Sequence, residues 1–232
     1  MYIPPVAQLL CLHGYGVRGW FWDRLRPELT RLGHTVLTPD LNMESMDTLR
    51  ADVDRLVTKH PGAVLLGHSL GATMAVRNLD HRIKAAVLLA PPARARAKTT
   101  SGLTLFLLRH HLIPHFMLRR RFFRTTPTAD QKRIFSDAVR ETPELQESIF
   151  TGEALVRDLE AAPVPVLVIA SEADAVIPTV ESQSIAEALD GELCILAKEL
   201  RIGHNDLATS PDGSARVCEL VQSFLERRLG KP

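Results

Sequence analysis

The chain has 232 residues, 45% of them apolar, with 28 basic and 27 acidic side chains and a formal net charge of +1. That length and apolar share suffice for one sizeable core in a single α/β domain carrying an insertion, and the charge balance excludes the overall basic excess expected of a nucleic-acid-binding protein. No apolar run approaches the 18 residues of a membrane span, and the stretch MYIPPVAQLLCLHG lacks the positive flank and long apolar core of a secretory signal, so a cytoplasmic location is expected.

Short apolar runs then alternate with helical patterns: QLLCLHG (8–14), WDRLRPELTRLG (22–33), TVLTPD (35–40), MDTLRADVDRLVTKH (46–60), AVLLGH (63–68), ATMAVRNL (72–79) and KAAVLLA (84–90). The alternation returns with VPVLVIAS (164–171), VESQSIAEAL (180–189), LCILAK (193–198) and a C-terminal helix over 214–229. The apolar runs are continuous rather than alternating, as expected of strands buried on both faces, so the reading is a doubly wound, mainly parallel sheet of about six strands. Between residues 91 and 161 the rhythm breaks into helical stretches without a buried strand. This divides the chain into a core of 1–90 and 162–232 and a helical cap of 91–161 over one end of the sheet. Cys11, Cys194 and Cys218 are widely spaced within apolar stretches, with no C-x-x-C pair, and read as reduced core residues; no metal and no organic cofactor is called for.

A parallel sheet carries its functional loops at the carboxyl ends of its strands. Ser69 lies there, between the run 63–68 and the helix that follows, in Gly67-His68-Ser69-Leu70-Gly71. A strand-to-helix turn tight enough to hold Ser69 in a strained conformation needs neighbours without side chains, which accounts for both glycines. A serine hydroxyl needs a base within reach. Of nine histidines, His204 in RIGHNDL follows the last strand at the same edge; His34, His60 and His81 fall at the opposite edge, and His110, His111 and His115 in the insertion. His13 and His68 flank the site within turns. An acid must orient the imidazole, and Asp174 in VLVIASEADAVIPT follows a strand at the correct edge, with Glu172 and Asp158 as alternatives.

Together, LLCLHGYG, GHSLGA, ASEADAVIP and IGHNDL, in that order over residues 8 to 229, resemble the oxyanion loop, nucleophile elbow, acid loop and histidine loop of an α/β-hydrolase of the serine type. The resemblance implies a nucleophile at Ser69, a general base and acid at His204, an orienting Asp174, and an oxyanion hole from the backbone N–H groups of Tyr15 and Leu70. The expected activity is cleavage of a carboxylic ester or thioester with an apolar acyl group. The alternatives are a non-hydrolytic binding protein of the same fold, or lyase, perhydrolase or carbon–carbon bond cleavage chemistry at the same triad. The antiparallel hairpin that often begins this fold is not expected here, and PDLNMESMDT stands where the family often has D-x-x-G-x-G-x-S.

Gly14-Tyr15-Gly16-Val17-Arg18-Gly19 also fits G-x-G-x-x-G, with Asp40 at the spacing of a ribose-binding acid, but Trp20, Phe21 and Trp22 crowd the place where a pyrophosphate would meet bare backbone. Trp20, Trp22 and His68 are candidates for contact with substrate; core packing is the other reading of the tryptophans, and shaping of the turn that of His68. From residue 93 to 133 ten basic residues face the single acid Asp130. That face is either solvated, or attracts an anionic substrate such as an acyl-carrier thioester, or docks on an anionic membrane surface.

Overall fold

The computed structural model describes residues 6–93, 115–139, 141–152 and 159–230. Six strands form one parallel sheet: β1 (Gln8–Leu12), β2 (Thr35–Leu37), β3 (Val64–His68), β4 (Ala85–Leu89), β5 (Val166–Ser171) and β6 (Glu192–Leu196), in the order β2-β1-β3-β4-β5-β6. Each strand falls within two residues of an apolar run read from the sequence. The order reverses at β1, which opens a crevice at the carboxyl ends of β1 and β3.

Alternation along the strands explains why the runs are apolar throughout. Leu10 and Leu12 of β1, Leu65 of β3, and Ala86 and Leu88 of β4 face one core, with helices α2 (Met46–Lys59) and α3 (Leu70–Val76) packed over it. Leu9 and Cys11, Val64 and Leu66, and Val87 and Leu89 face the other, under α1 (Leu25–Arg31) and the long C-terminal helix, α9 below. Both faces of every central strand are therefore removed from water, which is what selects continuous Leu and Val runs.

Between β4 and β5 the described residues form three helices: α4 (His115–Phe122), α5 (Thr128–Asp137) and α6 (Pro143–Thr151). After β5 follow α7 (Thr179–Ala188), β6, α8 (Asp206–Thr209) and α9 (Pro211–Leu229). Local chemistry sets the starts of several helices. Ser45 and Thr48 form a reciprocal capping box on α2, while Thr142 and Ser210 each accept an amide from the first turn of α6 and α9, with proline next in the chain. Cys11 and Cys218 are buried and Cys194 is partly so; all three are free thiols, and burial pushes Cys218 up to about 11. Among the described residues no helix is long and apolar enough to cross a membrane, and no group of three or more metal-ligating side chains is gathered.

Candidate functional site

The turn from β3 to α3 places Ser69 at φ 53°, ψ −118°, a region that L-residues avoid. Such a conformation costs of order 1–3 kcal/mol and persists only where the surroundings impose it. Here they do. A Cβ on Gly71 would lie 2.1 Å from the carbonyl oxygen of Leu12, and one on Gly67 would lie 2.5 Å from the Cα of Ala72. The start of α3 is therefore pressed against β1 and β3, and the chain between them can turn only at Ser69. The Ser69 amide donates to Leu89 O at 3.0 Å, and its carbonyl accepts from the Ala72 and Thr73 amides. Its side chain makes no capping bond, which leaves the hydroxyl available. The amide of Leu70, first residue of the helix, has no intrahelical partner.

Across the same edge, His204 Nδ1 lies 2.8 Å from Asp174 Oδ2, with 2% and 0% of the two side chains exposed. The second carboxylate oxygen, Oδ1, accepts the amides of Val176 at 2.6 Å and Ile177 at 2.9 Å, which fixes the plane of the acid. Burial alone pushes this carboxyl up, but the charge of His204, its hydrogen bond and the two backbone amides outweigh that and hold it below the ordinary aspartate value. An ionised Asp174 accepts only, so the Nδ1–H of His204 donates to it and Nε2 is the ring nitrogen turned away from the acid. Glu172, the alternative acid, is exposed and accepts the Lys198 amide at 2.9 Å. Asp158 lies outside the described residues.

His68 links the two halves. Its Nε2 donates to the carbonyl oxygen of His204 at 3.0 Å, and its ring lies 4.6 Å from the His204 ring and 4.7 Å from that of Phe21. Burial, with repulsion from His204, lowers its pKa to about 3, so the ring is neutral. His13 works similarly on the loop after β1. Its Nε2 accepts the Leu41 amide at 3.0 Å, so its Nδ1–H donates to Gly14 O at 2.9 Å, and burial lowers its pKa to about 4. Both rings shape backbone.

Tyr15 follows that loop with 37% of its surface exposed, and its phenol is pushed up to about 12 by partial burial and the charge of Glu141. Its amide is not engaged by another described group. Glu141, ahead of α6, reaches this turn: it accepts Arg18 Nη1 at 2.6 Å and the Gly16 amide at 3.2 Å, while the Val139 amide donates to Gly16 O at 2.9 Å.

The two tryptophans separate. Trp22 is fully buried, edge-on to Phe21 in the core, so core packing is its place; Trp20 is partly buried against the same cluster. Asp40, the acid of the dinucleotide alternative, is exposed, and its Oδ1 accepts the Gly19 amide at 2.7 Å. Of the basic face, Arg133 pairs with Asp23 on the core side, while Arg120 and Arg121 are exposed. Arg94, Arg96, Lys98 and Arg109 lie outside the described residues.

Two features escaped sequence reading. Glu141 had no local signal, being 123 residues from Arg18. Asp206 stands two residues after His204 in a motif already singled out, yet nothing in its spacing distinguishes a buried carboxylate from a helix-starting aspartate.

Sequence comparison with curated proteins finds no match. Similar solved structures include a bromoperoxidase from Bacillus anthracis, 18% identical, with a TM-score of 0.78 over 96% of this chain and 93% of that one. A lipase-esterase related protein from Clostridium acetobutylicum ATCC 824 is 17% identical, with a TM-score of 0.74 over 94% and 93%. A thermophilic esterase from Thermogutta terrifontis is 20% identical, with a TM-score of 0.70 over 97% and 91%. These likenesses concern the fold. The model of the alpha/beta hydrolase family matches residues 9–215, nearly the whole sheet and its connections, and the chain belongs to that family.

Proposed function

We propose that the protein is a serine hydrolase that cleaves a carboxylic ester or thioester through an acyl-enzyme on Ser69. The observation that carries this reading is the buried Asp174–His204 pair, held by the sheet edge where Ser69 is strained. Ser69 Oγ attacks the carbonyl carbon as its proton passes to His204 Nε2. The oxyanion takes hydrogen bonds from the Leu70 and Tyr15 amides, and Asp174 stabilises the imidazolium. Collapse expels the alcohol or thiol, which receives the proton from His204. Water then attacks the acyl-enzyme with His204 as base and releases the acid. The segment 91–161, with helices α4, α5 and α6, acts as the cap, and its many apolar residues suit an acyl chain. In this reading Trp20, the less buried of the two tryptophans, contacts substrate, and the basic face of α4 meets an anionic leaving group, acyl carrier or membrane surface.

Bromoperoxidases among the structural neighbours favour one second reading, in which peroxide replaces water as the acyl acceptor. Fluorophosphonate labelling tests the main proposal: label on Ser69 in the wild type and none in Ser69→Ala is expected, and an unlabelled wild type sinks it. A chain-length series of chromogenic esters and thioesters, run with and without peroxide and bromide, then separates the acceptors and substrates.

A further inference from the structure

Asp206 is buried. Its side chain is among the fully buried polar groups, and among the described residues no lysine, arginine or histidine pairs with it. What compensates its charge is a ring of donors. Oδ2 accepts the amides of Arg124 at 2.6 Å, Thr125 at 3.0 Å and Gly203 at 2.7 Å; Oδ1 accepts the Thr126 amide at 2.9 Å and the Thr126 hydroxyl at 2.5 Å. A carboxylate uses all its lone-pair directions in this way, and each bond to a charged acceptor is stronger than its neutral counterpart.

The donors come from two places. Gly203 belongs to the histidine loop, whereas Arg124, Thr125 and Thr126 form the turn between α4 and α5. A further bond runs the other way, from the Asn205 amide to Phe122 O at 2.9 Å, and the Phe122 ring lies 5.9 Å from that of His204. The approach is close enough that a Cβ on Gly203 would meet Arg124 Cγ at 3.0 Å and Phe122 O at 3.2 Å. His204 is therefore flanked by Gly203, whose amide shares the Asp206 carboxylate with the turn of the insertion, and by Asn205, whose amide bonds to the insertion directly.

We infer that Asp206 is a positioning residue whose carboxylate ties the 122–126 turn to the histidine loop, so that His204 and the cap wall beside it are set by one group. The inference rests on the triad reading above for its catalytic consequence, but not for the tie itself. A helix-starting aspartate with a merely local role would hold its own turn and leave His204 alone. Here the loss of the carboxylate turns four donors of a foreign segment loose at once, and the base moves with them. Displacement of a catalytic group by about 1 Å costs up to ~100-fold in rate.

The test uses Asp206→Asn and the milder Thr126→Val, which removes one hydroxyl donor and keeps the carboxylate. In Asp206→Asn, kcat for a short-chain ester and the rate of fluorophosphonate labelling should both fall roughly 10- to 100-fold, with KM changed less than about threefold. Hydrogen exchange at the 124–126 amides should accelerate in the same protein at a temperature where its circular dichroism is native. Thr126→Val should show the same pattern at about two- to fivefold. Native labelling and kcat in folded Asp206→Asn overturn the inference, as do unchanged exchange and kcat in Thr126→Val where Asp206→Asn does not fold. A wild type that neither labels nor hydrolyses removes the triad reading instead, and loss of exchange protection in either variant then still supports the tie.

Discussion

Glu141 receives Arg18 through both guanidinium ends, Nη1 on Oε1 at 2.6 Å and Nη2 on Oε2 at 3.2 Å, with only 2% of the glutamate side chain exposed. Because the same carboxylate holds the Gly16 amide, the pair fastens the segment before α6 to the turn that bears Tyr15. Truncating Arg18 to alanine leaves a buried carboxylate whose remaining donor among the described residues is the Gly16 amide, a loss of about 3 kcal/mol. Urea denaturation of Arg18→Ala measures it, and faster hydrogen exchange at Val139, bonded to Gly16 O, locates it. A variant with native stability and native exchange would mean that the contact does not fasten the turn.

Asp174 should matter to rate far more than to affinity. Asp174→Asn presents an amide to His204 Nδ1 and favours the wrong tautomer, so kcat should drop roughly 10³- to 10⁴-fold while KM stays within a few-fold. Steady-state kinetics on a short ester decides it. Glu172→Gln, at the exposed position beside Lys198, should leave kcat within about twofold; a large loss there would exchange the roles of the two acids.

The buried neutral histidines make stability depend on pH in a definite direction. The pKa of His68 is lowered to about 3 and that of His13 to about 4, so below about 6.5 the unfolded chain binds protons that the native state refuses. Stability is thus full above that pH and falls as the pH drops toward the folded values, at up to about 1.4 kcal/mol per pH unit for each ring. In His68→Gln the slope of unfolding free energy between about pH 5 and 6 should shrink by roughly 1 kcal/mol per unit. Denaturant titrations across that range test this, and an unchanged slope would contradict it.

Gly71 tolerates no side chain. A methyl group there would lie 2.1 Å from Leu12 O and 2.6 Å from His13 O, both backbone atoms of a central strand and the loop after it. Neither can move without parting β1 from β3, so Gly71→Ala should lose about 3 kcal/mol or more and accumulate as insoluble protein. The midpoint of thermal unfolding in whatever soluble fraction remains provides the check.

Trp20 and Trp22 should respond differently to substitution. Trp22→Phe keeps most of a buried volume and removes a buried indole N–H that has no hydrogen-bond partner among the described residues, so stability should stay within about 1.5 kcal/mol and kcat/KM should be native. Trp20→Ala should raise KM for longer acyl chains several-fold if Trp20 borders the pocket. A native chain-length profile would return Trp20 to packing alone.

The sheet was legible because burial on both faces writes itself as continuous apolar runs, and every strand from Gln8 to Leu196 carries one. Ser69 was legible for a related reason: Gly67 and Gly71 record a turn too close to β1 and β3 for side chains. His204 and Asp174 were singled out by position, each after a strand at one edge, but that Asp174 and not Glu172 meets the imidazole depends on where each carboxylate points, which no spacing encodes. The strapping of the insertion was invisible. Arg18 with Glu141, and Asp206 with the 124–126 amides, join residues 80 or more positions apart, and three of those partners are backbone groups common to every residue. Trp22 illustrates the same limit, since a tryptophan beside a loop reads alike in a core and in a pocket. Sequence alone determined the elements and their order, because periodicity and glycine sterics act within a few residues. Only the tertiary structure decided which polar groups meet, because hydrogen bonds and ion pairs between distant segments depend on how those segments are brought together.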